Sequence, residues 1–463
     1  MSAATHPPVV VRGPLERLLS PFVDVRAGEA GTALLMMLNV FLLLTAYYII
    51  KPVREALILG KEGAEAKSYA SAGMVLLLLF FIPAYSAFAS RVNRARLITW
   101  VTVFFISNLV VFYALARIDM PYLGVVFFVW VGIFNMMIVA QFWSFANDLY
   151  SPEAGKRLFA IIAFGSTLGA ILGAWVTKAL IAPLGVNQLL LVAAGVLALC
   201  LVITRLVEAR ESRARDLSGS VGAGAPLERP EGGFRLVMSD RYLLLIAFLM
   251  LVVNLVNTNG EYILGKTLTG VADRMIAAGQ NGAASPGAFK KQFIGSFYAG
   301  FFTWVNLVTA IVQLLLVSRI LKWFGLRVAL FVLPLLALGG YTLLALAPII
   351  GVIRTVKIAE NSTDYSLQNT ARQALFLPTS RDAKYKAKAA IDTFFVRAGD
   401  LLSAGLVFVG SALALTPQKF AAVNVALVLG WILIVSILAR ENARLTGEGA
   451  RPVVAAGTEA ARA

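Results

Sequence analysis

Residues 350–372, IGVIRTVKIAENSTDYSLQNTAR, carry a row of polar side chains inside a stretch of membrane-like sequence. The polar residues recur at intervals of three, four, three, four and four, which places them on one face of an α-helix. They are Arg354, Lys357, Asn361, Asp364, Gln368 and Arg372. A charge in hydrocarbon costs at least about 2.5 kcal/mol, so this face must line a wet cavity or meet partner charges. A polar face along a membrane-buried helix is typical of a transporter.

The composition of the whole chain agrees with a membrane location. Of the 463 residues, 59% are hydrophobic and 14% are charged, and the mean hydropathy is +0.79. Soluble domains contain about 25% charged residues. Apolar runs of about 20 residues, each sufficient to cross the hydrocarbon core, recur about twelve times. They lie near 31–50, 69–89, 97–117, 121–143, 158–181, 187–207, 242–264, 293–318, 327–347, 348–372, 390–414 and 419–439. We therefore predict an all-α integral membrane protein.

One long polar segment, 208–241, divides the predicted spans six and six and has the composition of a flexible linker. The first span of each half ends in a similar string, Glu55-Ala-Leu-Ile-Leu-Gly-Lys and Glu261-Tyr-Ile-Leu-Gly-Lys. Chance similarity between short apolar strings is the alternative to duplication. Two parallel six-helix repeats form the major facilitator fold. The predicted segments are an N-terminal segment 1–30, a first half 31–207, a linker 208–241, a second half 242–440 and a tail 441–463.

The net charge of +16 follows the predicted topology. Arginine and lysine recur in alternate loops, which predicts a basic cytoplasmic face and cytoplasmic termini in a cell (inner) membrane. The lipid bilayer is then the expected partner and nucleic acid is not. The single cysteine, Cys200, argues against an internal disulfide and a cysteine-based metal cluster, and the single histidine, His6, argues against a histidine proton relay or a histidine-rich metal site. We expect no metal and no cofactor. No nucleophile–base set is recognisable, so we do not expect an enzyme.

Two further polar groups lie near the ends of spans. In the first span, Lys51, Arg54 and Glu55 share one region of the helix, and Lys51 and Glu55 are spaced to pair. They fit either an interfacial anchor or a cationic clamp for a phosphate or carboxylate. In the fourth span, Asn147 and Asp148 lie near the cytoplasmic end and are weaker candidates.

Glu261 lies in the seventh span on a polar side shared with Asn254, Asn257 and Thr258. An intramembrane glutamate is a candidate proton carrier or counter-ion for buried cations, including those of the first span. Glu360 lies beside the polar face of 350–372, where it can neutralise Lys357.

A different pattern, Gly165-xxx-Gly169-xxx-Gly173, predicts a close-packed seam between two helices.

The sequence resembles the ATP/ADP translocases, the nucleotide transport family of plastids and intracellular bacteria. The first span of that family is matched by Tyr48, Lys51, Arg54 and Glu55, and its Phe-aromatic-x-Phe-Ala-Asn segment by residues 142–147. Its Glu-then-Lys helix is matched by Glu261 and Lys266. Its Lys-x-Lys-Gly-Lys-Ala-Ala-x-Asp run is matched by residues 384–392, which include Lys388 and Asp392, and its following arginine by Arg397. Asn369, Gln373 and Asp400 depart from the family pattern.

The resemblance implies a small anionic substrate, with a nucleotide as the leading case, moved by exchange. Lys51, Arg54, Arg354 and Lys357 are expected to hold the anion, together with Asn361, Asp364 and Gln368. Charge balance or gating is expected of a second set. These residues are Glu55, Asn147, Asp148, Glu261, Lys266, Glu360, Arg372, Lys388, Asp392 and Arg397. Proton-coupled transport of another solute, with Glu261 or Asp364 as the proton site, and a membrane scaffold or sensor without transport remain alternatives. The sequence does not predict an oligomeric state.

Overall fold

The computed structural model describes residues 26, 29–89, 94–150, 152–218, 233–347, 349–380, 383 and 387–446, and every element in them is helical. Its first six helices, α1 to α6, are Glu29–Lys61, Gly63–Ala89, Arg94–Arg117, Leu123–Leu149, Pro152–Leu184 and Gln188–Ser218. The next four, α7 to α10, are Gly233–Ser239, Arg241–Ala277, Pro286–Leu315 and Val317–Leu346. Most of the predicted tail, and the central part of the predicted linker, lie outside the described residues.

The remaining elements are shorter and include two π-helical turns. They are α11 (Ile350–Thr363), a first π turn (Asp364–Gln368), α12 (Asn369–Leu375), α13 (Lys388–Ala390), a second π turn (Ile391–Phe395), α14 (Val396–Ala412) and α15 (Pro417–Leu445). Ten helices of the described chain are long and apolar enough to cross a membrane. The other two predicted spans correspond to α2 and to the segmented stretch 350–375. The chain is therefore a multi-pass membrane protein, as predicted.

The contacts divide the chain into two compact units. Unit 1 contains α1 to α6 together with residues Leu268–Leu307, and unit 2 contains α7, the part of α8 that ends at Thr267, and the described residues from Val308 onward. In unit 1, α1 is the central helix: its buried side includes Met36, Val40 and Ile49, and it packs against α4, α5 and α6. This position explains why α1 is apolar on nearly all sides along most of its length.

The predicted glycine seam is confirmed in unit 1, between α5 and α1. A Cβ atom added to Gly169 would lie 2.2 Å from the carbonyl oxygen of Phe41. At Gly165 and Gly173 the corresponding distances, to Met37 and Thr45, are both 2.4 Å. No side chain fits at these three positions without moving backbone, so the seam sets the spacing of the two helices.

One end of unit 1 is tied together outside the candidate spans by a charged turn. Asp119, in the turn between α3 and α4, lies 3.2 Å from the Nζ atoms of both Lys61 and Lys291. Hydrogen bonds from these two ammonium groups lower the pKa of the Asp119 carboxyl below its ordinary value. The turn thus links the end of α1 to the beginning of α9.

Candidate functional site

The polar face of 350–372 is centred on a lysine with no exposed surface, in unit 2. The Nζ atom of Lys357 lies 3.0 Å from a carboxylate oxygen of Glu360, one turn further along α11. It also lies 2.8 Å from the amide oxygen of Asn257 and 3.7 Å from a carboxylate oxygen of Glu261, both on α8. Since the side chain of Lys357 is 0% exposed, its charge is stabilised by these groups rather than by bulk water.

The two carboxylates around Lys357 have different environments. Glu360 is 3% exposed and accepts a hydrogen bond of 2.9 Å from the hydroxyl of Tyr341 on α10. Glu261 is 23% exposed and accepts a hydrogen bond of 3.2 Å from the amide of Asn361. One carboxylate therefore holds the lysine closely from within the protein, whereas the other is more distant and reaches solvent.

A glycine on α8 makes room for this cluster. A Cβ atom at Gly260 would lie 2.0 Å from the Tyr341 hydroxyl and 3.0 Å from Lys357 Nζ. Any larger residue would push the tyrosine away from Glu360, so the sequence Asn-Gly-Glu at 259–261 brings the backbone of α8 close to the charges. The sequence signal for Gly260 is weak, because glycine is common in membrane helices.

The span predicted near 348–372 is helical from Ile350, but it is not α-helical throughout. The amide of Asn369 donates to the carbonyl of Asp364, an i→i+5 hydrogen bond that closes the π turn. Such a turn contains more residues than an α-turn. Each residue in it therefore turns the chain through a smaller angle about the helix axis than a residue of an α-helix does. Along this stretch Gln368 is buried, whereas Tyr365 and Asn369 are exposed.

The other members of the row lie at intermediate depth. Arg354, Asp364 and Arg372 are half-buried. Gln368 is 3% exposed, and neither its amide nitrogen nor its carbonyl oxygen has a hydrogen-bond partner in the described part of the chain. A buried carboxamide in that state costs free energy unless water or a ligand satisfies it.

A second buried carboxylate in unit 2 belongs to Asp400 on α14. It accepts hydrogen bonds of 2.8 Å from Asn254 and from Thr258, both on α8, and its other oxygen lies 3.2 Å from Arg397. The polar side of α8 therefore serves two clusters: Asn257 and Glu261 meet Lys357, while Asn254 and Thr258 meet Asp400.

The segment 384–392, which resembles the Lys-x-Lys run of the translocase family, contains a separate ion pair. Lys388 and Asp392 are 3.0 Å apart and each is a little under one third exposed. They are four residues apart, and Asp392 lies in the second π turn.

Unit 1 contains a cationic cluster built around Glu55. This carboxylate is 1% exposed, and it is contacted by the guanidinium of Arg54 and, at 2.7 Å, by the ammonium of Lys67 on α2. The guanidinium also lies over the ring of Phe128, with its Cζ atom 4.6 Å from the ring centre. Two cations therefore meet one buried carboxylate in this cluster.

Lys51, one turn before Glu55, lies among aromatic rings. Its Nζ atom is 4.0 Å from the centre of the Phe302 ring and 5.3 Å from that of Tyr48. The negative face of an aromatic ring stabilises an ammonium group without neutralising it. Lys51 therefore adds a further positive charge to the same end of α1.

Lys266, which was predicted to balance charge or to gate, is exposed on α8. The side chains of Asn147 and Asp148 lie outside the described residues.

Several residues of these clusters escaped the sequence analysis, among them Lys67, Phe302, Tyr341 and Asp400. Lys67 is a single lysine near the beginning of α2, a position typical of an interfacial anchor. Phe302 is one of several aromatic residues in its span, and Tyr341 is a single tyrosine in an apolar span, so neither stands out in the sequence. For Asp400 the only signal was its departure from the family pattern. Only the packing of distant helices brings these side chains to the charges.

The chain is similar in sequence and in structure to several known transport proteins. The family described as TLC ATP/ADP transporter matches residues 302–442. The chain is 21% identical to "ADP,ATP carrier protein 1" of Chlamydia pneumoniae over 87% of its own length and 90% of that protein. Among solved structures, it is similar to the nucleoside transporter NupG, with a TM-score of 0.61, 11% identity and coverage of 87% of this chain and 98% of that one. It is also similar to a peptide transporter POT in complex with sulfate, with a TM-score of 0.60, 14% identity and coverage of 93% and 99%. These similarities confirm the major-facilitator-like fold.

Proposed function

We propose that this chain, a distant member of the TLC ATP/ADP transporter family, moves nucleotides across a membrane by alternating access and exchanges one nucleotide for another. The substrate is then a small anion with several phosphate charges. The proposal includes a location in the inner membrane of the cell with both termini in the cytoplasm, because the lysine and arginine residues concentrate in alternate loops.

The observation that carries the proposal is the unequal pair of carboxylates around Lys357. Removing one partner from a buried ion pair costs about 3–5 kcal/mol, so Lys357 must always retain an anion. Glu261 is the more exposed and more distant of its two carboxylates. A substrate phosphate can therefore replace Glu261 at the lysine while Glu360 and Tyr341 hold the other side.

This replacement supplies the differential binding that an exchanger requires. The free energy of the conformational change depends on whether Glu261 or the phosphate occupies Lys357, since a ligand shifts an equilibrium only by its difference in affinity for the two states. Without substrate, Glu261 returns to Lys357. The carrier without substrate is then held in one conformation, so exchange is favoured over net transport.

The other clusters have supporting roles in the proposal. Lys51 and Arg54, in unit 1, are cations that the proposal also assigns to substrate binding. The unsatisfied carboxamide of Gln368 supports a polar ligand or water along the face of α11 and the first π turn. Lys388 with Asp392, and Arg397 with Asp400, are ion pairs that we assign to gating.

The test is exchange in liposomes with a pair of matched variants. The purified protein is reconstituted in liposomes loaded with ADP, and uptake of labelled ATP is measured with and without internal ADP. Lys357→Met removes the central cation but leaves Glu360 buried without it, so this variant can lose its fold. The double variant Lys357→Met/Glu360→Met removes both charges at similar volume, which is often neutral for stability.

We expect the wild-type protein to take up ATP only with internal ADP, and the double variant to fold but not to exchange. Lys322→Gln, which removes an exposed lysine of α10 in the same unit, should exchange normally. Full exchange by the folded double variant would disprove the role of Lys357. Uptake that follows a pH gradient and ignores internal ADP would instead support proton-coupled transport.

A further inference from the structure

A groove of about 390 Å³ lies between α5 and α9 of unit 1. Its wall includes Trp175 and Lys178 from α5, and Gly300, Thr303 and Trp304 from α9. The two tryptophans are 56% and 50% exposed. Tryptophan side chains of this kind are enriched where a membrane protein meets the polar region of the bilayer.

The groove is separate from the Lys51 cluster, although both use α9. Phe302, whose ring lies under Lys51, is 4% exposed and points into unit 1. Its neighbour two residues later, Trp304, is half exposed and lines the groove on another face of the same helix. Residues two positions apart on a helix do not share a face. The groove and the Lys51 cluster therefore lie on different faces of α9.

Lys178 gives the groove its charge. It belongs to the candidate span Arg157–Leu184, and at 1.5 Å per residue it lies about 9 Å along α5 from the last residue of that helix. Its side chain is exposed, and no acidic side chain pairs with it among the residues that the structure describes. The facing wall, on α9, is uncharged. The hydroxyl of Thr303 donates a hydrogen bond of 2.8 Å to the backbone carbonyl of Ala299 in the same helix.

An ammonium group within a membrane span needs an anion or water, because a charge in hydrocarbon costs a few kcal/mol. The lysine side chain can extend towards the surface, and at that depth the nearest anions are the phosphates of lipids. The absence of a side chain at Gly300 leaves space beside Trp304 for an acyl chain. Apolar walls with one cation at the rim match the shape and the charge of an acidic phospholipid.

We propose that this groove is a binding site for an anionic phospholipid, with Lys178 at the headgroup and the rings of Trp175 and Trp304 against the acyl chains. The site is independent of what the protein transports. A bound lipid would pack against the outer face of α9, the helix whose inner face carries Phe302.

The test uses the full-length protein in a non-ionic detergent, titrated with phospholipids that carry brominated acyl chains, which quench nearby tryptophans. Brominated phosphatidylglycerol is compared with brominated phosphatidylcholine of the same chain length. The variants are Lys178→Gln, Lys178→Arg and Trp304→Phe. Lys419→Gln serves as the matched control, because Lys419 is an exposed lysine at the beginning of α15 and is not among the residues that line this groove.

We expect the wild-type protein to be half-quenched at a lower concentration of phosphatidylglycerol than of phosphatidylcholine. One lysine near a membrane surface contributes about a five-fold difference in affinity for anionic lipid, so Lys178→Gln should raise the phosphatidylglycerol midpoint by about that factor. Lys178→Arg and Lys419→Gln should leave it unchanged. Trp304→Phe should reduce the depth of the quenching.

Equal midpoints for the two lipids in the wild-type protein would overturn the proposal, and so would equal behaviour of Lys178→Gln and Lys419→Gln. Light scattering on the same samples tests the other occupant, a second copy of the chain. If Lys178→Gln changes the oligomeric mass while the lipid preference is absent, the groove is an interface between copies rather than a lipid site.

Discussion

At the scale of single residues, Asp400 and Arg397 form an ion pair whose two members are unequally buried. The aspartate side chain is 9% exposed and the arginine side chain is 40% exposed. Hydrogen bonds to a charged group contribute about 1.5–3 kcal/mol, whereas an exposed ion pair contributes about 1 kcal/mol or less. The hydrogen bonds from Asn254 and Thr258 should therefore matter more than the salt bridge.

We accordingly predict that Asp400→Asn lowers the free energy of unfolding by about 1.5–3 kcal/mol, and that Arg397→Gln lowers it by less than about 1 kcal/mol. Unfolding of the purified variants in detergent, followed by circular dichroism, measures both. Thr258→Val serves as an independent check, because it removes one of the two hydrogen bonds and leaves the ion pair. An equal loss for Asp400→Asn and Arg397→Gln would mean that the salt bridge carries the stability.

At the scale of elements, the contact of α1 with α5 depends on three glycines at four-residue spacing. We predict that Gly169→Ala destabilises the protein by about 1–3 kcal/mol, because the new methyl group overlaps the carbonyl of Phe41 and the helices must separate. Gly195→Ala on α6 is the matched control, since a Cβ atom there meets no atom within 4 Å. Alanine also favours a helix over glycine by up to about 1 kcal/mol.

Thermal unfolding of the two variants in the same detergent distinguishes packing from helix propensity. Packing requires a lower midpoint for Gly169→Ala and an equal or higher midpoint for Gly195→Ala. Equal midpoints for both variants would show that α1 and α5 can move apart without cost.

At the scale of the whole molecule, the arrangement of charged loops predicts which segments face the cytoplasm. Cys200 is the only cysteine and is buried, so Cys200→Ala gives a background free of cysteine. Added to it, Ser220→Cys probes the predicted linker, and Ala283→Cys probes the exposed turn between α8 and α9. In intact cells a membrane-impermeant maleimide should label the cysteine at position 283 and not the one at 220.

Lysed cells provide the control, because both cysteines should then react. The reverse pattern in intact cells would place the linker and both termini outside the cytoplasm. It would also mean that the lysine and arginine bias of the loops does not set the orientation of this protein.

The amino-acid sequence alone was sufficient to predict the class of fold and the most polar helix. Twenty-residue apolar runs can satisfy their backbone hydrogen bonds in a membrane only as helices, so composition and run length were sufficient to predict the class of fold. The spacing of Gly165, Gly169 and Gly173 similarly predicted a helix seam, because close approach of backbones depends on residue size alone. Periodicity identified Lys357 and the row around it, since a charge in a membrane span is conspicuous in any sequence.

Which charged groups on different helices are partners emerges only from the folded structure. Glu55 meets Lys67 of the next helix, Lys357 on α11 meets Glu261 on α8, and Asp400 on α14 accepts hydrogen bonds from α8. These contacts join residues up to 146 positions apart, and helical spacing carries no information about them. The π turn at 364–368 was also not predictable, because periodicity assumes a constant rotation per residue and a π turn changes it.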